Sequence, residues 1–175
     1  MRAKGFEGMT CSIASVLGAL GDRWGALILR DLFFGLSRYD DLRRSSNITN
    51  ATLSGRLKHL EQNGLIERTL YQTGPNRYEY RLTPQGKDLA LVMQAMVQVG
   101  DKWNLGGLAG PPVRLVNRNS GKAAKVALVD EDTGAELALT DVRVVAGPGA
   151  DDLVRWRLTK SDNEPAPSLP PASNA

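Results

Sequence analysis

The chain has 175 residues, a net charge of +3 and a hydrophobic fraction of 42%, which are ordinary values for a globular protein. Its single cysteine, Cys11, excludes an internal disulfide and fits a reducing compartment. The sequence has no apolar run long enough to span a membrane and no signal-peptide pattern, so we expect a cytoplasmic protein without a membrane partner. The positive charge is concentrated in residues 1–105, which hold 14 Lys and Arg against 10 Asp and Glu.

The first 63 residues predict four helices. Apolar side chains at helical spacing indicate one helix over residues 12–20 and a second over residues 23–34. A short third helix of about 7 residues includes Tyr39. The fourth helix begins after Thr49, whose hydroxyl can accept a hydrogen bond from the first turn, and runs to about Asn63.

The periodicity then changes from helical to alternating. Residues 65–71 and 77–82 are rich in strand-forming side chains and flank the turn sequence 72–76, which predicts a β-hairpin. Thr83 and Pro84 are an N-cap and a first helical residue, and the helix that they start is expected to run to about Trp103. Its apolar set is wider than one face, which suits either a subunit interface or packing against the C-terminal segment.

Beyond this helix a Gly- and Pro-rich boundary separates a smaller region. We expect short strands there, at residues 113–116, 125–129, 142–145 and 153–158. The Pro- and Ser-rich end is expected to be disordered. The predicted fold class is α+β: a winged helix-turn-helix domain with a long C-terminal dimerisation helix (1–105), a small β-rich extension (106–160) and a tail (161–175).

The order of four helices, a hairpin and a helix is typical of DNA-binding winged helices. If Leu53, Leu57 and Leu60 of the fourth helix face the core, its opposite side can enter the major groove, while the hairpin acts as the wing. The candidate DNA-binding residues are Arg43, Arg44, Asn50, Thr52, Ser54, Arg56, Lys58, His59, Asn76 and Arg77. For His59, a solvated surface position is the alternative.

Ordered motifs also carry a family resemblance. They include Leu20-Gly-Asp-Arg-Trp24, Leu27-Ile-Leu-Arg-Asp-Leu32, Arg38-Tyr-Asp-Asp-Leu42, Leu60-Glu-Gln-Asn-Gly-Leu65 and Arg77-Tyr-Glu-Tyr-Arg-Leu-Thr-Pro-Gln-Gly86. Over residues 11–103 the chain resembles the HxlR-type regulators, a bacterial winged-helix family related to the MarR type. The resemblance implies a homodimer, built from the first and last helices of the domain, that binds a pseudo-palindromic operator in double-stranded DNA.

The C-terminal region resembles an extension found in longer relatives, where cysteines suggest a zinc site. The matching positions here are Ser120-Gly121 and the segment from Asp130 to Gly134, which contain no thiol. Zinc sites of this kind depend on thiolate ligands, so we expect no metal and no cofactor.

Two further features bear on how such a regulator would be controlled. Some relatives sense oxidants through an N-terminal cysteine, so Cys11 is a candidate redox sensor; the alternative is an inert, small hydrophobic residue. A small-molecule effector could enter between the long helices of a dimer, at a pocket formed by Trp24, Met93, Met96 and Trp103, although these residues also suit a core.

The sequence contains no enzyme signature among the common hydrolase, nucleotide-binding and dinucleotide-binding motifs, so we expect no enzymatic activity. The leading hypothesis is a sequence-specific, homodimeric transcription regulator, a repressor rather than an activator, that responds to a small-molecule or redox signal. The alternative is a winged-helix module for protein interaction or ligand binding without specific DNA binding.

Overall fold

A computed structural model describes residues 5–161 of the chain, and the winged helix occupies most of them. Its elements in chain order are α1 (Ser12–Leu20), α2 (Arg23–Phe33), α3 (Tyr39–Ser46), α4 (Asn50–Gln62), β1 (Ile66–Gln72), β2 (Arg77–Leu82), α5 (Pro84–Asp88) and α6 (Ala90–Trp103). The predicted α+β fold class and the predicted order of four helices and a hairpin are confirmed.

Polar caps explain where three of the helices begin. The Asp22 carboxylate accepts hydrogen bonds from two backbone amides of the first turn of α2, at 3.0 and 3.2 Å. The Thr49 hydroxyl accepts from Thr52 N at 3.2 Å before α4, and the Thr83 hydroxyl accepts from Gly86 N at 3.0 Å before α5. Each cap satisfies amides that have no partner within the helix.

The core lies where α2, α3 and α4 meet the base of the hairpin. Leu53, Leu57 and Leu60 are buried on one side of α4, as their spacing predicts, and they pack in one cluster with Ile28 and Leu42. Burial of such side chains contributes about 1.5–3 kcal/mol each. This core holds α3 and α4 against the hairpin and leaves the other side of α4 exposed.

The hairpin is antiparallel, and a short segment of chain forms an isolated bridge to one of its strands. Ile66 pairs with Leu82 and Leu70 pairs with Tyr78, with an irregularity just before the turn. The segment before α3 joins the outer side of β2 through a hydrogen bond of 2.8 Å from Tyr80 N to Ser37 O. This contact ties the wing to the start of α3.

The long helix predicted from Pro84 is interrupted, which corrects the sequence prediction. It divides at Leu89 into α5 and α6. Leu89 is buried in the core, and a Cβ atom on Gly86 would collide with the backbone carbonyl of Leu65. The first turn therefore packs closely against the base of the hairpin, and α6 begins after Leu89.

The segment that follows α6 packs along one side of that helix. Gln98 holds it with two hydrogen bonds, from Nε2 to Val126 O at 3.1 Å and from Val126 N to Oε1 at 3.0 Å. The predicted strand 113–116 is absent except for one bridge, from Val116 to Ala123, within an irregular turn. Residues up to Ala127 group with the winged helix.

A second compact unit joins Glu7–Ser12 to residues 128–161. It contains a two-residue antiparallel pair, β3 (Leu128–Val129) and β4 (Glu136–Leu137), and a final helix, α7 (Asp152–Ser161). The strand predicted at 142–145 is not formed.

The strand predicted at 153–158 is wrong, because these residues lie in α7. Its two partly covered apolar side chains, Val154 and Leu158, are four residues apart, which is a helical spacing. Asp151 accepts a hydrogen bond from Val154 N at 2.8 Å at the start of this helix. Hydrogen bonds from the Thr10 hydroxyl and from the Val154 amide lower the pKa of the Asp151 carboxyl.

The division of the chain into domains after residues 105 and 160 remains a prediction, and residues 162–175 of the predicted tail lie outside the described residues. Among residues 5–161, no single helix is both long and apolar enough to cross a membrane. Only α1 and α2 together reach that length and apolarity, and they meet at an angle of 78°.

Candidate nucleic-acid interface

A three-residue turn between α3 and α4 sets the position of α4. Asn47 adopts a left-handed conformation with φ of 51°, which Asn tolerates better than most residues. Ile48 is buried directly after it, and Thr49 caps α4. These residues form the compact helix-turn-helix that the sequence predicts.

The exposed side of α4 carries small and polar side chains. Asn50, Ser54 and Lys58 are exposed and follow one another at intervals of four residues, so they form one line along the helix. Thr52 is half-buried, and its hydroxyl lies 2.9 Å from the hydroxyl of Thr49. Asn50, Ser54 and Lys58 are therefore the α4 side chains best placed to contact an external partner.

Tyr39 links the first turn of α3 to this line of side chains. Its hydroxyl donates a hydrogen bond of 3.0 Å to the backbone carbonyl of Asn50 and lies 3.0 Å from Ser54 Oγ. The Asn50 Oδ1 atom lies 3.5 Å from both the Tyr39 hydroxyl and Arg43 Nη1. The sequence pattern does not indicate this role of Tyr39, because the contact joins two helices.

Arg56 does not belong to the exposed line, which corrects its prediction as a DNA-binding residue. Its guanidinium Nη2 lies 2.8 Å from Oδ2 of Asp22, and its Nε atom is buried. Asp22 is also the N-cap of α2, so this ion pair joins the middle of α4 to the start of α2. We therefore assign Arg56 to the packing of these helices.

His59 also faces the protein rather than the outside. Its Nε2 atom lies 3.0 Å from Gly18 O, at the end of α1. A Cβ atom on Gly21 would lie 2.8 Å from the same ring, so the imidazole packs closely against the turn between α1 and α2. Neither predicted role, DNA contact or solvated surface residue, describes this half-buried position.

The wing presents a basic tip and an aromatic base. Asn76 and Arg77 are exposed in the turn and at the start of β2. Farther down, Arg68 Nε lies 3.2 Å from Glu61 Oε1 of α4, and its guanidinium lies 4.9 Å from the centre of the Tyr78 ring. These contacts join the wing to the end of α4 and help to set the distance between them.

Tyr80 lies on β2, close to Arg68 and Glu61. Burial raises the pKa of the Tyr80 phenol above its usual value of 10.0, and the nearby Arg68 charge partly opposes that shift. The phenol therefore stays protonated at neutral pH.

Four cations lie on α3, α4 and the wing without carboxylate partners among the residues that the structure describes. They are Arg43, Arg44, Lys58 and Arg77, all exposed. By contrast, Arg56 and Arg68 are paired with carboxylates. The positive charge at these four positions is therefore available to an anion. Phosphate groups interact favourably with such charges.

The four residues predicted as an effector pocket are divided between the core and α6, and a pocket between the protomers of a dimer stays a prediction. Trp24 packs against the core, while the Met96 and Trp103 side chains on α6 are 46% and 65% exposed and Met93 is half-buried. A cleft of about 540 Å³ lies instead between the start of α3 and the wing, lined in part by Tyr71.

Two other features lie outside this surface. Cys11 is half-buried and comes directly before α1. α6 has an apolar stripe with spacings of four, three and four residues, formed by Val92, Met96, Val99 and Trp103, which we call the α6 stripe. All four side chains are at least 42% exposed, although large apolar residues are usually covered.

Comparisons with known proteins agree with this geometry. The model of the HxlR-like helix-turn-helix family matches residues 19–106. The uncharacterized HTH-type transcriptional regulator Rv3095 of Mycobacterium tuberculosis is 39% identical over 144 residues, which are 82% of this chain and 89% of that protein. This match is longer than the family segment, so the similarity extends beyond the winged helix.

Two solved structures have the same fold. PA1607, described as a proposed transcription factor, superimposes with a TM-score of 0.72 and 31% identity over 82% of this chain and 100% of that chain. PA1374 from Pseudomonas aeruginosa, also described as a proposed transcription factor, gives a TM-score of 0.59 and 37% identity over 85% and 100% of the two chains. With its winged helix and these matches, the chain belongs to the HxlR-like helix-turn-helix family of transcription regulators.

Proposed function

We propose that the protein is a homodimeric, sequence-specific repressor that acts in the cytoplasm and places α4 of each protomer in the major groove of a pseudo-palindromic operator. The observation that carries this proposal is the line of Asn50, Ser54 and Lys58 on α4, flanked by cations that have no carboxylate partner in the part of the chain that the structure describes. The major groove is wide enough to admit a helix, and polar side chains there can contact base edges.

The cations around this line have the positions that backbone contacts require. Arg43 and Arg44 are in the last turn of α3, and Arg77 is at the wing. Phosphate contacts of this kind orient a protein on the duplex, while contacts to base edges supply sequence preference. The wing would lie along the neighbouring minor groove or backbone.

Dimer formation is supported by the α6 stripe. Covering these apolar side chains with a second copy would remove them from water, at a gain of roughly 25 cal/mol per Å². Ile13 and Leu17 of α1 are also exposed, at 72% and 49%, and add apolar area to the same unit. A dimer would bind two half-sites about one helical turn apart. It would exclude RNA polymerase from an overlapping promoter, which is the reason for proposing repression.

The test measures binding to the protein's own promoter region and to random duplex at one fixed salt concentration. We expect a clear preference for promoter DNA that Lys58→Ala weakens. Arg114→Ala removes an exposed cation from the segment beside α6 and serves as the matched control. Equal affinity for promoter and random DNA would contradict specific binding, and would favour an interaction or ligand-binding module instead. Transcription in vitro with purified RNA polymerase then separates repression from activation.

The proposed control of binding is a small-molecule or redox signal. The cleft of about 540 Å³ between α3 and the wing is within the usual size range of small-molecule sites, and a ligand there would lie beside the proposed DNA-binding surface. Cys11 is the one thiol in the chain. Binding measured with and without hydrogen peroxide, for the native chain and for Cys11→Ser, tests the redox route. An effect of peroxide that persists in Cys11→Ser contradicts it.

A further inference from the structure

We propose that Tyr39 determines the hydrogen-bonding polarity of Ser54, so that Ser54 selects a base that carries an amino group in the major groove, adenine or cytosine. The inference rests on the proposed function, since it assumes that α4 reads DNA. It gives Tyr39, which lies on α3 and contacts the exposed line of α4, a role in sequence preference.

The Tyr39 hydroxyl has fewer protons than hydrogen-bond partners. The Tyr39 hydroxyl carries one proton and has two partners at 3.0 Å, the Asn50 carbonyl and Ser54 Oγ. A carbonyl oxygen can only accept, so the Tyr39 proton is used there. The contact between the two hydroxyls is then a hydrogen bond only if Ser54 is the donor.

The consequence concerns what Ser54 offers to the outside. Its single proton points to Tyr39, and its oxygen retains a lone pair that can accept one further hydrogen bond. Ser54 is exposed on the same line as Asn50 and Lys58, so that lone pair is accessible. A serine hydroxyl with no such partner can rotate to donate or accept and is indifferent to the base it meets, whereas this one can only accept.

Every base pair carries one amino donor in the major groove, and the four base pairs differ in which base, and therefore which strand, carries it. In the major groove adenine N6 and cytosine N4 are donors, while guanine presents N7 and O6 and thymine presents O4, all acceptors. An acceptor placed against guanine or thymine meets another lone pair and leaves both groups unpaired, which is costly when water is excluded. Ser54 therefore favours adenine or cytosine, on the strand that it faces, at one position of each half-site.

Asn50 is arranged in a parallel way by the same contacts. Its Oδ1 atom lies 3.5 Å from Arg43 Nη1, which is a donor of α3, and 3.5 Å from the Tyr39 hydroxyl, whose proton is already used on the Asn50 carbonyl. The amide group is left to present its Nδ2 donors away from α3. These distances are longer than those at Ser54, so the test is designed on Ser54.

The experiment selects bound sequences from a random duplex library with the native full-length chain and with three variants. Tyr39→Phe removes only the hydroxyl that receives the Ser54 proton. Ser54→Ala removes the proposed acceptor. Tyr80→Phe is the matched control, because among the described residues no hydrogen bond involves the Tyr80 hydroxyl. Thermal unfolding of each variant is measured in parallel.

We expect the native chain and Tyr80→Phe to enrich adenine or cytosine at one position of each half-site. Tyr39→Phe and Ser54→Ala should each lower that enrichment roughly two- to tenfold, the range of one hydrogen bond, while the other positions keep their preference. The double variant should lose no more at that position than either single variant.

Two results would overturn the inference: a position-by-position preference in Tyr39→Phe equal to that of the native chain, or a uniform loss of affinity with unchanged preference. The second outcome would mean that Tyr39 only joins α3 to α4. If Tyr39→Phe does not fold, Ser54→Ala decides alone, because an unchanged preference there also overturns the inference. A native chain that enriches no sequence contradicts the proposed function instead, so the two failures are distinguishable.

Discussion

Replacing Arg77 with alanine tests the proposed DNA-binding surface through its dependence on salt. Arg77 is exposed at the start of β2 and, among the described residues, has no carboxylate partner. Each phosphate contact that a protein makes with duplex DNA contributes about −0.9 to the slope of log K against log salt concentration. A dimer carries two copies of the residue, so the variant removes two contacts.

The expected magnitude follows from the number of uncompensated cations. Arg43, Arg44 and Arg77, the three cations placed at the DNA backbone, give about six phosphate contacts in a dimer, and therefore a slope of roughly −5. Arg77→Ala should reduce the steepness by about 1.8. Between 50 and 200 mM salt, the difference in affinity between the two proteins should then shrink by roughly tenfold.

The assay is fluorescence anisotropy with one operator duplex at five or more salt concentrations. Arg114→Ala is the matched control, because it removes an equally exposed cation from the segment beside α6 and should leave the slope unchanged. A slope for Arg77→Ala within about 0.5 of the native value would refute a phosphate contact by the wing. Equal changes in both variants would show that total charge, and not this surface, governs binding.

Three further predictions concern packing and assembly. A double-mutant cycle of Arg56→Ala and Asp22→Ala, measured by urea unfolding, should give a coupling of about 0.5–1 kcal/mol, because this ion pair is partly exposed; a coupling near zero would contradict the role assigned to Arg56. Gly21→Ala should destabilise the protein by about 1–3 kcal/mol, because φ is +81° and the new Cβ would approach the His59 ring; an unchanged midpoint would contradict that packing. Met96→Glu should shift the protein from dimer to monomer in analytical ultracentrifugation, and Lys102→Glu, which introduces a glutamate at an exposed position of the same helix outside the stripe, should not; identical sedimentation of all three proteins would exclude the α6 stripe as the interface.

Several local features could be predicted from short stretches of sequence because their causes are local. The caps at Asp22, Thr49 and Thr83 use side chains within three residues of the amides that they satisfy. The buried side of α4 follows from the spacing of its leucines. These features identify the winged helix without knowledge of distant contacts.

The orientation of side chains at the edge of α4 could not be predicted in this way. The helical pattern places Arg56 at the edge of the apolar face of α4 and His59 on its opposite side, yet both side chains contact other parts of the protein. Their partners are Asp22, 34 positions away in sequence, and Gly18, 41 positions away. Only the packing of α1 and α2 against α4 brings these groups together.

The alternating pattern of apolar residues near the C-terminal end was also ambiguous. Residues 153–158 alternate as a strand does, yet the same sequence places Val154 and Leu158 on one side of a helix. Short apolar segments carry both patterns, and the surrounding chain selects between them.

The sequence by itself determined the succession of helices and hairpin, the caps and the buried leucines, because each depends on neighbours a few residues apart. The tertiary structure decided which polar residues remain available at the surface. It paired Arg56 and His59 with distant groups, left Arg43, Arg44, Lys58 and Arg77 without carboxylate partners among the described residues, and brought Tyr39 against Ser54. The physical reason is that a charged group or a hydroxyl interacts with the partners that lie within about 3 Å of it. Tertiary packing determines which groups those partners are.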